Sequence, residues 1–288
     1  MSHLTRRQAV GALGTLAGAV VLGTHSRTAP AQTVAPPAAR IKQSVARWCY
    51  ASIPLDELCA AAASMSYRSV ELLDADEWAV AKRHGLECAM ANSFGTIPVG
   101  FNRPDNHDKL VAGGEALIPK AGAAGVAKIV VFSGNRDGMS DGEGIQNCIT
   151  GLKRLMPAAE RHGVTLCMEM LNSKVDHKDY HADHTAWAVE VVKGVGSPRF
   201  KLLYDIYHMQ VMEGDVIATI RANASHIVHF HTGGVPGRNE IDATQELNYP
   251  AVMRAIADLG YEGFVGQEFV PRRDPLTSLR EAHGICDI

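Results

Sequence analysis

Val164-Thr-Leu-Cys-Met-Glu169-Met-Leu-Asn172 is an apolar run closed by a carboxylate. A helix-like pattern from Ile145 to His162 precedes it, and Gly163 would stop that helix. The run therefore reads as a buried parallel strand with its charged residue at the C-terminal mouth. The arrangement recurs in Phe200-Lys-Leu-Leu-Tyr-Asp205, His226-Ile-Val-His-Phe-His231 and Gly263-Phe-Val-Gly-Gln-Glu268. Four strand ends thus aim hard metal-ligand side chains at one place.

Working outward, the pattern alternates through the chain. Strands are expected over 44–49, 69–73, 87–92, 128–132, 164–169, 201–205, 227–231 and 264–268, and helices over 54–65, 77–84, 107–124, 144–162, 184–192, 215–222, 250–259 and 276–282. Repeated βα units with short turns imply parallel strands and helical crossovers. Eight of them over roughly 250 residues predict a closed (β/α)₈ TIM barrel, a single domain over 42–288. A doubly wound open sheet would carry a Gly-rich phosphate loop after its first strand, and Cys49-Tyr-Ala-Ser-Ile-Pro54 is nothing of that kind. From Glu169 to Asp205 is 36 residues, to His231 a further 26 and to Glu268 a further 37. Each step is close to one βα unit of about 30, so consecutive strands deliver one ligand each to the rim where this fold holds its sites.

The rest of the composition bounds the class. With 288 residues, 46% hydrophobic and 20% charged, the chain can bury a full core, and a net charge of −3 without basic runs argues against nucleic acid or an acidic membrane as partner. The N-terminus differs. Thr5-Arg6-Arg7-Gln8 precedes an apolar Gly/Ala-rich stretch over 9–23 and the small-residue pattern Ala29-Pro30-Ala31. This predicts an export signal over 1–31 of the twin-arginine type, with Ala9 where that motif usually has Phe, a flexible lead over 32–41, and a periplasmic location. The stretch is short of the roughly 20 residues that span a bilayer. Of six cysteines, none forms a CxxC pair and five lie in strand-like or helix-like runs, so buried thiols are expected; Cys286 has no assignment.

Glu169, Asp205, His231 and Glu268 make an O₃N donor set, which suits one divalent cation, Mn²⁺ or Mg²⁺ first and Zn²⁺ with the same ligands. Three carboxylates crowded at a rim repel one another unless such a cation offsets their charge. A metal with free positions chelates the hydroxyl and carbonyl of an α-hydroxycarbonyl compound, acidifies the C–H between them and stabilises the enediolate. Glu169 and Glu268, on opposite sides, then serve as base and acid. That chemistry is isomerisation or epimerisation of a small hydroxycarbonyl acid or sugar.

Four further residues are expected to touch the substrate. His208, three after Asp205, can bond a substrate oxygen or cap the loop after its strand. Arg238, in a Gly/Pro turn, can hold a substrate carboxylate or pair with Glu240 or Glu246. Glu71, ending the second strand, faces the rim to bond a sugar hydroxyl or serves structure, and Asn172, closing the opening stretch, is placed with the substrate contacts. His229 points the same way as His231, one layer deeper, as a core histidine.

The segments Gly163 to Glu169, Leu202-Leu-Tyr-Asp-Ile-Tyr-His-Met-Gln210, Val235-Pro-Gly-Arg-Asn-Glu240 with Leu247-Asn-Tyr-Pro250, and Gly263 to Glu268 resemble the hydroxypyruvate isomerase branch of the xylose isomerase-like barrels, which also holds ketose 3-epimerases. The resemblance runs from about Ser44 to Pro271. It implies Glu169, Asp205, His231 and Glu268 as metal ligands, Glu169 and Glu268 as the acid/base pair, and His208 and Arg238 as substrate contacts. Two departures stand out: Gly234 where the branch typically has Asp before Val-Pro-Gly-Arg, and Ser173-Lys-Val-Asp-His-Lys-Asp-Tyr180 where it usually has a Pro-Gly loop. The pocket has changed while the ligands are kept. Other readings are a sugar or keto-sugar lyase on the same metal site, an exported carbohydrate-binding protein without turnover, and a barrel phosphodiesterase of the endonuclease IV type, disfavoured by the missing extra ligands and basic face. Homo-oligomerisation stays open.

Overall fold

Residues 41–288 are described by the computed structural model. Their strands are β1 (Lys42–Ala46), β2 (Ser69–Glu71), β3 (Lys128–Val131), β4 (Thr165–Glu169), β5 (Phe200–Asp205), β6 (Ile227–Thr232) and β7 (Phe264–Gln267). All pair in parallel, in the order β2-β1-β7-β6-β5-β4-β3. The helices are α1 (Leu55–Ser64), α2 (Trp78–Arg83), α3 (Pro104–Ala124), α4 (Asp141–Lys153), α5 (Met156–His162), α6 (Thr185–Val195), α7 (Ile206–Met212), α8 (Val216–Asn223), α9 (Tyr249–Asp258) and α10 (Pro275–Cys286). The architecture is the TIM barrel that the alternating pattern predicts.

The expected third strand is a correction. Residues 87–92 form no regular strand, yet they fill the gap between β2 and β3 through single bridges, Ser69 to Glu87, Leu73 to Ala91 and Ala91 to Ile129. Leu72 N donates to Met90 O at 2.7 Å and Ala91 N to Lys128 O at 2.9 Å. Leu72 holds left-handed backbone, φ 57, which breaks the even ladder that a strand needs. Seven strands and one irregular segment therefore close the ring.

Other boundaries move for local reasons. The expected first strand ends early, because the chain turns into a 3₁₀ helix over Arg47–Tyr50 and carries Trp48 out to the mouth. The expected helix over 144–162 is two helices: Pro157 has no N–H to continue the ladder and sits instead in the first turn of α5. Gly163 ends α5 in left-handed backbone, φ 69, as expected of a helix-stopping glycine. The helix α7 was not anticipated as a separate element; Asp205 caps it, accepting from His208 N at 3.1 Å.

Side chains alternate along each strand, and this alternation aims the site. In β4, Leu166 and Met168 pack outward among the large apolar cluster under the helices, while Cys167 joins Ala46, Leu72, Met90, Val130 and Leu203 inside the ring. Glu169, two residues beyond Cys167, follows it inward; so does Asp205 after Leu203. Each fully buried Leu, Ile or Val on the outer layer contributes about 1.5–3 kcal/mol, which holds the strands in one register. Five of the six cysteines are buried and Cys49 is half-buried; all are free thiols, Cys286 among them at the end of α10. Among the described residues no helix is long and apolar enough to cross a membrane. The expected signal over 1–31 and the lead, apart from Ile41, lie outside the described residues.

Candidate active site

Parallel strands in a closed ring end on one rim, so residues far apart in sequence meet there. Glu169, Asp205, His231 and Glu268 each offer a donor atom, and these atoms all lie within 4.8 Å of one another. Glu169 comes from the end of β4, Asp205 from β5, His231 from β6, and Glu268 directly follows β7. The four expected ligands are thus brought together, and all four are buried.

His231 lies at the centre. Its Nδ1 is 3.2 Å from Glu169 Oε1 and 2.9 Å from Glu268 Oε2, while its Nε2 is 2.6 Å from Glu71 Oε1. A carboxylate behind Nε2 holds a proton on that nitrogen and turns Nδ1 toward the mouth, where it donates to Glu169 and Glu268 while protonated and would offer its lone pair to a cation. Glu71 is fully enclosed within the ring and also takes His229 Nε2 at 2.8 Å. The expected sugar-hydroxyl contact of Glu71 is thereby corrected: the residue is enclosed below the rim and is not on the cavity wall, its Oε1 takes both imidazoles, and its Oε2 is buried without a partner among the described residues. His229 is the core histidine expected, with Glu71 as its partner.

Asn172 is corrected as well. Its Oδ1 accepts from Val175 N at 3.0 Å and Asp176 N at 2.9 Å, and its Nδ2 reaches Asp176 Oδ2 at 2.6 Å and His208 Nδ1 at 2.7 Å. Both ends of the amide are occupied and the residue is buried, so it folds the loop after β4 rather than meeting a substrate. His208 lies buried beside Asp205, its Nε2 3.6 Å from Asp205 Oδ2 and without a hydrogen-bond partner among the described residues. Its Nδ1 accepts from Asn172 N at 3.1 Å, which leaves the proton on Nε2.

Arg238 pairs with neither Glu240 nor Glu246. Its Nη2 donates to Glu268 Oε2 at 2.6 Å and Asp205 Oδ2 at 3.2 Å, and the guanidinium lies over the rings of Trp48 and Tyr207 at 5.0 and 5.6 Å. Its backbone is left-handed, φ 56, just after Gly237, which swings the side chain over the mouth. Glu240 instead binds the backbone N–H groups of Arg272 and Arg273. Trp48, expected inside the first strand, instead donates Nε1 to Glu268 Oε1 at 2.6 Å.

The electrostatics are asymmetric. Burial, then the Glu268 charge, raises the pKa of Glu169, and burial lifts Asp205 to about 8 against the pull of Arg238. Burial is also the largest influence on Glu268 and pushes upward, but His231 and Arg238 together overcome it and hold this carboxyl well below its usual range. His231 is driven the other way: burial disfavours its charge, and Glu268 and Glu169 outweigh that and raise it. With Glu71, four buried carboxylates face one guanidinium and three imidazoles, of which burial lowers His208 and His229 and only His231 is raised, a poor balance in a low-dielectric site. A divalent cation among Glu169, Asp205, His231 and Glu268 would restore it, and an O₃N donor set fits one.

A cavity of about 520 Å³ opens above these groups, lined by Glu169, Glu268, Arg238 and Trp48 on one side and by apolar side chains including Leu72 and Phe132 on another. His177, from the loop after β4, also lines it. The sequence reading missed Trp48 and His177. Trp48 stands two residues past a strand end, a position that signals the rim; His177 lies in an aperiodic loop that carries no such signal.

Comparisons with known proteins find related barrels. The family model described as xylose isomerase-like TIM barrel matches residues 59–285. The 2-oxo-tetronate isomerase of Cupriavidus necator is 31% identical over 235 residues, covering 76% of this chain and 87% of that protein. The hydroxypyruvate isomerase of Escherichia coli is 29% identical over 209 residues, covering 72% and 74%. A crystal structure described as AP endonuclease, family 2, from Brucella melitensis superposes with a TM-score of 0.73 at 25% identity, over 83% of this chain and 97% of that one.

Proposed function

Because the chain belongs to the xylose isomerase-like TIM barrel family, in its hydroxypyruvate isomerase-like branch, we propose that it is an isomerase moving a proton between adjacent carbons of a small hydroxycarbonyl acid or sugar. The observation that carries the reading is that Glu169 and Glu268 both line one cavity while both converge on His231. Two carboxylates on either side of a bound carbon chain can take a proton from one carbon and return it to the next. Mere binding would not need both.

Glu169, Asp205, His231 and Glu268 would hold a divalent cation. When bound, such a cation supplies Lewis acidity that polarises the substrate's carbonyl and hydroxyl and makes the C–H between them easier to break. The chain's own residues do the rest. Trp48 and Arg238 donate to the two oxygens of Glu268 and fix the plane of its carboxylate. Glu71 holds His231 from behind, so the imidazole cannot rotate away from the two glutamates. Arg238 and His208 Nε2 supply donors for the substrate oxygens on which negative charge grows. The apolar wall that includes Leu72 and Phe132 limits water at the exchanging carbon.

Hydroxypyruvate and simple ketoses, incubated with the Mn²⁺- or Mg²⁺-supplemented protein in D₂O, should take up deuterium at the carbon beside the carbonyl. Glu268→Gln should lower that exchange by about 10²–10⁴-fold, the usual worth of a positioned acid or base, and should hold less metal by elemental analysis. A wild-type protein that exchanges none of these compounds with metal present would falsify the isomerase reading, and a product that has lost water would make it a lyase.

A further inference from the structure

We propose that His177 is a substrate-binding residue whose Nε2 hydrogen-bonds an oxygen on the part of the substrate beyond the two reacting carbons. The inference rests on the isomerase reading, since that reading puts the substrate in this cavity. His177 lines the same cavity as Glu169, Glu268 and Arg238. Its Nε2 is buried and has no hydrogen-bond partner among the described residues, which is a cost that an arriving ligand oxygen would remove.

The position of the ring is built. His177 N donates to Asn172 O at 3.1 Å, and Tyr180 N donates back to His177 O at 2.9 Å. Asn172 Oδ1 takes the N–H groups of Val175 and Asp176 on the near side, and Tyr180 Oη donates to Glu169 O at 2.9 Å on the far side. The loop is therefore tied to the backbone of Glu169 itself, and a shift of one would move the other. The ring centroid stands 5.3 Å from that of His208, whose Nε2 also lacks a partner. Two imidazoles with unfilled nitrogens thus lie next to each other, one beside Asp205 and one on the cavity wall.

The cavity has more room than the reacting atoms use. At about 520 Å³ it falls within the roughly 300–1,000 Å³ range of pockets that enclose drug-sized ligands. Away from Glu169, Glu268 and Arg238, the wall carries Asp74, Asn92, Ser93 and His177 among apolar side chains, and such placed polar groups decide which chain is accepted.

The test compares wild type, His177→Ala and His177→Gln as metal-loaded full chains, with hydroxypyruvate as a short probe and D-fructose as a longer one. In D₂O exchange, His177→Ala should raise KM for D-fructose by at least about tenfold, the loss of one hydrogen bond, with kcat nearly unchanged and KM for hydroxypyruvate little altered. His177→Gln, which keeps a donor and an acceptor, should recover most of the loss. A fall in kcat with both probes and no change in KM would mean a structural role and overturns the proposal. If the wild type exchanges neither probe, the isomerase reading fails and binding alone decides. In Mg²⁺-loaded protein with ¹⁵N-labelled histidine, a D-fructose-dependent shift of the His177 Nε2 signal then supports the contact, and a signal unmoved by either probe at its highest soluble concentration overturns it.

Discussion

Glu71 Oε1 lies 2.8 Å from His229 and 2.6 Å from His231, and it reaches that point through space that Gly266 leaves open. A Cβ on residue 266 would stand 2.6 Å from Glu71 Oε1 and 2.9 Å from His231 Cδ2. Neither neighbour can retreat cheaply: Glu71 is enclosed within the ring, and His231 is held on both nitrogens. Gly266→Ala should therefore cost about 1–3 kcal/mol of stability, as overpacking does, and should weaken Mn²⁺ binding about 10–100-fold by turning His231, the usual effect of disturbing a ligand's hydrogen-bond partner. Denaturant unfolding and calorimetric metal titration read the two effects separately. Unchanged metal affinity in a folded Gly266→Ala protein would show that Glu71 does not orient His231.

Elements on the rim are joined by buried polar contacts rather than by strand ladders. Glu240, in the loop between β6 and α9, accepts from Arg272 N at 2.9 Å, Arg273 N at 3.0 Å and Ser278 Oγ at 2.9 Å, and so ties that loop to the segment between β7 and α10 and to the start of α10 itself. Burial raises its pKa most, but the N–H of Arg273 and its other donors outweigh this and lower it from the ordinary glutamate range. A carboxyl depressed in the folded state stabilises fully above its unfolded pKa, and that contribution is lost as pH falls through the folded value. Glu240→Gln should thus lower stability by about 1–3 kcal/mol at pH 7. The gap between variant and wild type should shrink as the pH falls below the usual glutamate range. Parallel unfolding curves at neutral and acid pH check this, and a gap independent of pH would remove the charge from the account.

At the scale of the molecule, the closed ring gathers charge that the folded chain has to manage. Glu71, Glu169, Asp205 and Glu268 are buried within one site. A cation bound there by the native state alone raises stability by about 2.7 kcal/mol at a hundred times its Kd, worth about 5–10 °C in Tm at this chain length. Mn²⁺ or Mg²⁺ should therefore raise the melting temperature in proportion to the logarithm of its concentration, and EDTA should reverse the gain. A Tm indifferent to both ions would leave the four-ligand cluster without its expected occupant.

Much of this was legible in the chain itself. Short apolar runs alternating with helical patterns marked the parallel strands, and the recurrence of Glu169, Asp205, His231 and Glu268 at their ends marked the side chains that meet at the rim, because a strand buried on both faces reads as a continuous apolar run before any packing is known. Gly163 marked a helix end for a reason local to its own backbone. Other features had no local cause. The irregular path over 87–92 follows from Leu72 and from bridges to two neighbouring strands. The burial of Glu71 depends on a glycine nearly 200 residues away. Arg238 found Asp205 and Glu268 instead of nearby glutamates because the turn carrying it, closed by a single bridge from Gly234 to Asn239, lies over the mouth. Alternation and local backbone preference act between neighbours in sequence and can be read there. Contacts across a closed ring depend on which strand ends meet, and only the tertiary structure decides that.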